Sequence, residues 1–399
     1  MICRNPAIDR MKILMLNHNI AWQGTYFRCY HFARHLVRRG HKVTLLTVRK
    51  DIGLIPQISS EDGVEVIKTP RILGRFPYRY WHRWMSPGVF WRLLWVLKEP
   101  HDVVMAFDHW PEVACPFFLA RLKRQTKLVA DWCDLFTDGG IFETKWPRES
   151  VGYRVENWLE RRTKNIADSV TVISQELRDR ALACGVHPDR LMLLPSGADI
   201  ENIRPFPKDQ MRRLLNLPLG ARIIAYTGVT TSHEVRLLIE AFVAIAREVP
   251  DAHLLLIGPF ANGKHQDGID PAIKARIITP GPIPYANLGK YLASADILAL
   301  PLPDVLNSRA RWPNKFGDYL AAGRPIVATA LGDLVPVFNE HSIGRCATPD
   351  ISDFARKAIE LLNDRTRWQE YGDNARKVAE EQLDWGILSR RLEGFLQAS

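Results

Sequence analysis

The sequence predicts an α/β protein made of two doubly wound parallel-sheet halves, and three observations carry that prediction. Short apolar runs alternate with helix-period segments along nearly the whole chain. Those runs are predominantly apolar, as in strands covered on both faces. A stretch rich in Pro, Gly and polar residues interrupts the alternation near the middle, and a second cycle then begins.

In the first half, Lys12–Asn17 reads as a strand. A helix follows with Tyr26, Cys29, Ala33, Leu36 and Val37 on one face and Gly40 as its stop, and then the strand Lys42–Val48, which completes a βαβ unit. The pattern continues through the strand Asp102–Phe107, a helix to about Arg124, and the strands Lys127–Asp131 and Ser169–Ile173. Pro195–Pro207 reads as a linker. The second cycle has strands at Arg222–Thr227, His253–Ile257, Arg276–Ile278, Asp296–Leu300 and Pro325–Ala328, and helices at Glu234–Glu248, Ala286–Ser294 and Lys315–Ala322. A chain of 399 residues is long enough for two such domains, and a cleft between them is expected.

Composition narrows the function classes. The net charge of +10 favours anionic partners without choosing among nucleotides, lipid head groups and nucleic acid. Six scattered cysteines form no C-x-x-C pair and no metal-finger spacing, which suits a reducing cytoplasm better than a disulfide or zinc framework. The first ten residues lack the apolar stretch of a signal peptide, and Met11 is a candidate start. The most apolar run, Gly88–Leu97, is too short to span a membrane and contains Arg92. There is no G-x-G-x-x-G, Walker A loop, H-E-x-x-H or D-x-D.

From Met11 onward the segments HLVRRGHKVTLLT (His35–Thr47), ADSVTVIS (Ala167–Ser174), LLPSGAD (Leu193–Asp199), YLASADILALP (Tyr291–Pro301) and GDYLAAGRPIVAT (Gly317–Thr329) stand in order, with Gly24 before the first helix. In this order they resemble the GT-B glycosyltransferases, and within them the retaining glycosyltransferase family four. The resemblance implies an acceptor-binding domain over 1–199, a nucleotide-sugar-binding domain over 200–383, and a C-terminal helix over 384–399 that packs back on the first domain. It implies transfer of a sugar from a nucleotide diphosphate sugar to a glycan or lipid-linked acceptor, with retention and without a metal or other cofactor.

Ligands of doubly wound sheets bind outside the carboxyl ends of the strands, where helix N-termini offer free N–H groups to phosphates. Asn314 and Lys315 open such a helix, and Arg309 and Arg311 lie just upstream; the alternative is a solvated basic loop. By resemblance, Lys315 neutralises the leaving diphosphate, Asp318 takes the second Glu position of an E-x7-E motif and binds the ribose, and Ile283 lies against the base. Two departures stand out. Ala310 occupies the place of the motif's first Glu, and the family's Gly-Arg…Lys reads Gly228-Val229…His233-Glu234, so Arg236 is a candidate substitute. In the first half, Gly24, Thr25, Arg28, His109 and Asp131 are candidate acceptor-binding residues, and Asp108 and Asp134 candidate catalytic ones. A strand-end Asp is equally well a cap or turn former.

Residues 66–98 contain no acid, while Lys68, Arg71, Arg75, Arg79, Arg83, Arg92 and Lys98 mix with Phe76, Trp81, Trp84, Phe90, Trp91 and Trp95. That composition suits peripheral contact with an anionic membrane, here its cytoplasmic face; the alternative is that Trp91, Leu94 and Trp95 are core and the arginines a wet rim. Nucleic acid is not expected as a partner. A catalytically silent nucleotide-binding protein and a nucleotide-sugar epimerase are the competing functions.

Overall fold

A computed structural model of the chain describes residues 10–71, 86–123, 125–143, 147–228, 233–260 and 266–398. The chain divides into two units, one of residues Met1–Pro195 with Trp385–Ser399 and one of Ser196–Asp384.

The first unit holds an eight-stranded sheet. Its strands are β1 (Lys12–Ile20), β2 (Lys42–Val48), β3 (Gln57–Glu61), β4 (Val64–Thr69), β5 (Val103–Phe107), β6 (Lys127–Trp132), β7 (Ser169–Val172) and β8 (Leu191–Leu193). They lie in the order β3-β4-β2-β1-β5-β6-β7-β8, with every neighbouring pair parallel except β3 and β4. That exception is a hairpin the sequence reading passed over. Asp62 and Gly63 both adopt positive φ, 50° and 80°, which is what a two-residue turn between strands requires, and Glu61 faces Val64 across it. Asp-Gly between two short strands is the local signal for such a turn.

The chain returns to this unit at its end. In the helix Trp385–Ala398, Trp385, Leu388, Leu392 and Leu396 share one apolar core with Tyr26, Cys29, Phe32 and Leu36 of the helix Tyr26–Arg38. The Trp385 ring stacks on His31 at 5.0 Å, and Glu393 receives His41 at 2.7 Å and Arg39 Nε at 2.6 Å. Burial raises the Glu393 carboxyl, but those two partners outweigh it and hold the group below its ordinary value.

The second unit holds a parallel six-stranded sheet of β9 (Arg222–Thr227), β10 (Ala252–Ile257), β11 (Ile277–Gly281), β12 (Ile297–Leu300), β13 (Ile326–Thr329) and β14 (Gly344–Ala347), in the order β11-β10-β9-β12-β13-β14. The helices His233–Glu248 and Ile351–Asn363 pack their apolar faces on it in a single core. Pro195–Pro207, expected as a linker, is instead part of this unit from Ser196 onward. Ser196, Ala198, Asp199 and Ile203 are at most 2% exposed, and Ala198 N–H donates to Leu383 O at 2.7 Å, so the entering and leaving strands of the unit lie side by side. A Cβ on Gly317 would stand 2.3 Å from Gly197 O, so only glycine lets the helix Asn314–Ala322 lie against that segment.

Among the described residues no helix is long and apolar enough to cross a membrane. The five described cysteines, Cys29, Cys115, Cys133, Cys184 and Cys346, are all free thiols.

Candidate functional site

In the second unit the residues of interest gather at the carboxyl ends of β9 and β10 and in the segment that follows β12. Gly258, at φ +143°, would place a Cβ 2.0 Å from Gly228 O, so the backbones beyond these two strands approach as only glycine permits. Residues 229–232, which include Val229, lie outside the described residues.

Lys315 sits in the first turn of the helix Asn314–Ala322, whose N-terminus has no side-chain cap. Its ammonium donates to Tyr226 Oη at 2.8 Å and Glu234 Oε2 at 2.7 Å and lies 4.2 Å from the centre of the Tyr226 ring. Arg311 Nη2 donates to Glu234 Oε1, and Tyr226 Oη donates to Glu234 Oε2 at 2.6 Å. Burial alone raises the Glu234 carboxyl, but Lys315 and Arg311 overcome it and bring the group down to about 2, so it is ionised throughout the physiological range. Burial conversely lowers Lys315, with Glu234 opposing.

Asp318 lies one turn beyond Lys315, half-buried, and Tyr285 Oη donates to its Oδ1 at 3.3 Å. Burial and the charge of Asp199 push its carboxyl up to about 7. Tyr285 follows the turn that carries Ile283, so the loop beyond β11 reaches the same helix. Tyr319 Oη accepts Thr227 N–H at 3.0 Å and fixes that helix to the end of β9.

Of the second unit's sequence candidates, the structure brings together Arg311, Asn314, Lys315 and Asp318 around the start of this helix, with Gly228 at the neighbouring strand end. It turns two others elsewhere. Arg309 is held by Asp304 at 2.5 and 3.0 Å, and exposed Arg236 contacts His233 and Glu240 of its own helix. Ala310 is 1% exposed. The sequence reading missed Tyr226, Glu234 and Tyr285. Glu234 was visible only as a departure from a motif, since nothing in one chain places a helix Glu against two cations some eighty positions away.

In the first unit, Arg28 and Asp131 are corrected from acceptor-binding residues to an internal pair. Arg28 donates to Asp131 Oδ2 at 2.7 Å and Oδ1 at 2.9 Å, and to the carbonyls of Leu194 and Pro195 at 2.8 Å. Asp131 also accepts from Thr171 and from Cys133 Sγ. Both residues are at most 1% exposed, so neither is presented to a ligand. Thr25 is likewise occupied: its hydroxyl donates to Asn19 Oδ1 at 2.5 Å and accepts from Asn17 Nδ2 at 2.9 Å. Gly24 adopts φ +54°, with the Asn19 amide where its Cβ would be, so the glycine serves a turn that closes on β1.

Asp108, just beyond β5, is the one candidate held in strained backbone, with φ +67°. Its Oδ1 accepts the Cys133 and Asp134 amides at 3.3 Å, and its Oδ2 lies 3.8 Å from His18 Nδ1. Burial, then the charges of Asp134 and Asp131, push this carboxyl well above its ordinary range against the pull of Lys164. His109 contacts Glu156 Oε2 at 2.9 Å, and the His18 ring stacks on Trp110 at 5.4 Å. Burial lowers His109 well below its usual value and raises Glu156 to about 9, so the pair is held neutral. Glu156, Glu160 and Lys164 recur every four residues on the helix Val151–Ile166; they look like a solvated stripe but form its inner face, all at most 1% exposed.

Among the described residues, no group of three or more His, Cys, Asp or Glu is placed to hold a metal ion.

The chain matches two family descriptions: residues 23–197 match "Glycosyl transferase 4-like domain" and residues 221–364 match "Glycosyl transferases group 1". It is 24% identical over 250 residues to the GDP-mannose-dependent alpha-(1-6)-phosphatidylinositol monomannoside mannosyltransferase of Mycobacterium tuberculosis, covering 59% of this chain and 63% of that protein. The chain thus spans less than two thirds of that relative's length. Sucrose-phosphate synthase from Thermosynechococcus elongatus superposes with a TM-score of 0.74 at 18% identity, covering 96% of this chain and 98% of the other. Anabaena Alr3699/HepE in complex with UDP and glucose superposes with a TM-score of 0.71 at 15% identity, covering 98% and 100%.

Two predictions follow from the placement of these carboxylates. Asp131→Asn leaves the Arg28 guanidinium buried with a weakened partner, so its urea unfolding midpoint should fall by the equivalent of about 3–5 kcal/mol. Wild-type stability with impaired acceptor kinetics would return Asp131 to the site. Asp318 behaves in the opposite sense. Its folded-state value of about 7 lies above the ordinary 3.8, so the folded chain holds a proton that the unfolded chain releases as pH rises through this window, and stability falls. The full cost is on the order of 4 kcal/mol above pH 7. Asp318→Asn should therefore melt higher than wild type, by a margin larger at pH 8 than at pH 5. An equal margin at both pH values would contradict the ionisation argument.

Proposed function

Because the chain belongs to the glycosyl transferases group 1 family and has the GT-B fold, we propose that it transfers a sugar from a nucleotide diphosphate sugar to a hydroxyl of a glycan or lipid-linked acceptor, with retention and without a metal ion. The second unit binds the donor and the first the acceptor. The observation that carries this reading is the joint placement of Lys315 and Arg311 at an uncapped helix N-terminus, with Asp318 one turn further on. Two of the similar proteins support the substrate class: one is named for GDP-mannose and a phosphatidylinositol mannoside, and the other was solved with UDP and glucose.

The residues divide the work by chemistry. As the glycosidic bond breaks, negative charge grows on the leaving diphosphate, and two fixed cations with the helix N–H groups stabilise it without reorganising. Asp318, once ionised, accepts hydrogen bonds from the ribose hydroxyls, and the turn at Ile283 lies against the base. Asp134, partly exposed at the strand end of the first unit, faces the acceptor hydroxyl, and buried Asp108 holds it in place through the Asp134 N–H.

The enzyme works at the cytoplasmic face of a membrane, in the synthesis of a surface polysaccharide or glycolipid. Its free thiols suit a reducing compartment. Trp81, Trp84 and the arginines Arg75 to Arg83 lie outside the described residues, but the helix Pro87–Lys98 supports a lipid contact. Phe90, Leu94 and Leu97 are 60%, 40% and 57% exposed, and Trp91 Nε1 donates to Leu54 O at 2.9 Å, beside exposed Ile52, Leu54 and Ile55. Arg92 is corrected from a lipid-facing residue to an interior one: it is fully buried and donates to Thr69 Oγ1 and Glu112 O. The outward face is therefore apolar. Each such side chain contributes about 1.5–3 kcal/mol on full burial.

Lys315→Ala should weaken nucleoside diphosphate binding roughly tenfold to a hundredfold, since a hydrogen bond to a charged group contributes about 1.5–3 kcal/mol, and should slow turnover further. Asp318→Ala should weaken binding with less effect on turnover, because the ribose does not change during the reaction. Calorimetric titration paired with release of nucleoside diphosphate, run with and without excess chelator and with and without acceptor, tests the reading. Wild-type affinity in both folded variants places the donor elsewhere, a strict requirement for Mg²⁺ or Mn²⁺ rejects the metal-free mechanism, and turnover of donor without acceptor points to an epimerase. For the lipid contact, the double variant Phe90→Glu, Leu94→Glu should lose flotation with vesicles rich in anionic lipid. Flotation equal to wild type would remove this helix from the interface.

A further inference from the structure

One carboxylate of the second unit has no part in the transfer as described. Glu234 stands in the first turn of the helix His233–Glu248, is 5% exposed, and receives Lys315, Arg311 and Tyr226 on its two oxygens. We infer that Glu234 is a positioning residue for the donor diphosphate, pinning Lys315 and Arg311 so that each keeps an N–H available to a phosphate. This rests on the reading of the second unit as the donor-binding one.

A count of donors supports it. An ammonium has three N–H groups, and among the described residues Lys315 uses two, on Tyr226 and Glu234. Arg311 places Nη2 on Glu234, while its Nε is buried and has no partner among the described residues. A buried N–H left unmade is costly, and a phosphate, which only accepts, is the chemistry that satisfies both spare donors at once.

Charge points the same way. Two partly buried cations held side by side in the unliganded protein repel each other, and one shared carboxylate offsets that repulsion while leaving a net positive charge for an anion. The groups facing Lys315 are Glu234 from its helix, Tyr226 from β9, Arg311 from the preceding loop and Asp318 from the Lys315 helix itself. Burial and Arg311 push Lys315 towards the neutral amine, and Glu234 is the strongest opposing influence. The carboxylate therefore keeps the phosphate-binding cation charged as well as fixed.

Glu234→Gln preserves shape and removes the charge, leaving Asp318 as the remaining opposing carboxylate. Lys315 should then lose its proton at a lower pH, so affinity should fall as pH rises. The experiment titrates UDP, GDP and inorganic pyrophosphate into wild type, Glu234→Gln and Glu234→Asp from pH 6 to pH 9. It also follows the pH dependence of Lys315 reductive methylation on the unliganded proteins by mass spectrometry. Affinity in Glu234→Gln should be close to wild type at pH 6 and at least tenfold weaker at pH 9, with Lys315 methylated at lower pH; Glu234→Asp should keep a flat profile. Equal loss at every pH, or an unchanged methylation profile, overturns the inference. Should Glu234→Gln fail to fold, the Asp variant decides: the inference requires it to bind with a flat profile, and loss of binding overturns it. A methylation shift in a wild type that binds none of the three probes leaves Glu234 a structural counter-ion, and sinks the donor-site reading with it.

Discussion

The second unit is organised around one constraint: two partly buried cations at a helix N-terminus repel each other unless they share an anion. Glu234 supplies it, and the elements that carry the partners are fixed by that requirement. Tyr226 comes from the end of β9, Arg311 from the loop before the helix, Lys315 from its first turn and Glu234 from the opposite helix. Tyr319 ties the same helix to β9, and Gly317 lets it lie against Gly197. The close backbone approach at Gly228 and Gly258 belongs to the same economy of space. A rigid cationic site can stabilise charge that appears only in a transition state, because no further reorganisation is needed at that moment.

The first unit shows the complementary arrangement. Its strand ends carry an unusual number of buried ionisable groups, and most are disarmed by one another. Arg28 and Asp131 are an ion pair whose remaining donors and acceptors are taken by backbone carbonyls, Thr171 and Cys133. His109 and Glu156 are neutralised by burial. Asp108 differs, since it combines left-handed backbone with a carboxyl raised out of its ordinary range beside His18. Strain of this kind persists only where the surroundings impose it.

The sequence by itself determined the architecture. Apolar runs separated by helix-period segments allow little besides parallel sheets covered on both faces, and the ten strands read from those runs begin and end within a few residues of observed ones, whereas β3, β4, β8 and β14 went unread. The segment opening at Lys315 was legible for the same reason: a helix that follows a strand's carboxyl end and starts with basic residues is a local pattern, and so is the Asp318 one turn on. The tertiary structure decided what local pattern cannot encode, namely which charges meet. Glu156, Glu160 and Lys164 look solvated until the helix is docked with that face inward, and Arg92 reads as a rim cation until Thr69 and Glu112 surround it. Arg309 and Arg311 are indistinguishable along the chain, yet one finds Asp304 and the other Glu234. The physical reason is that burial follows from periodicity within one element, whereas a charge's state and role depend on desolvation and on partners brought from distant elements by packing.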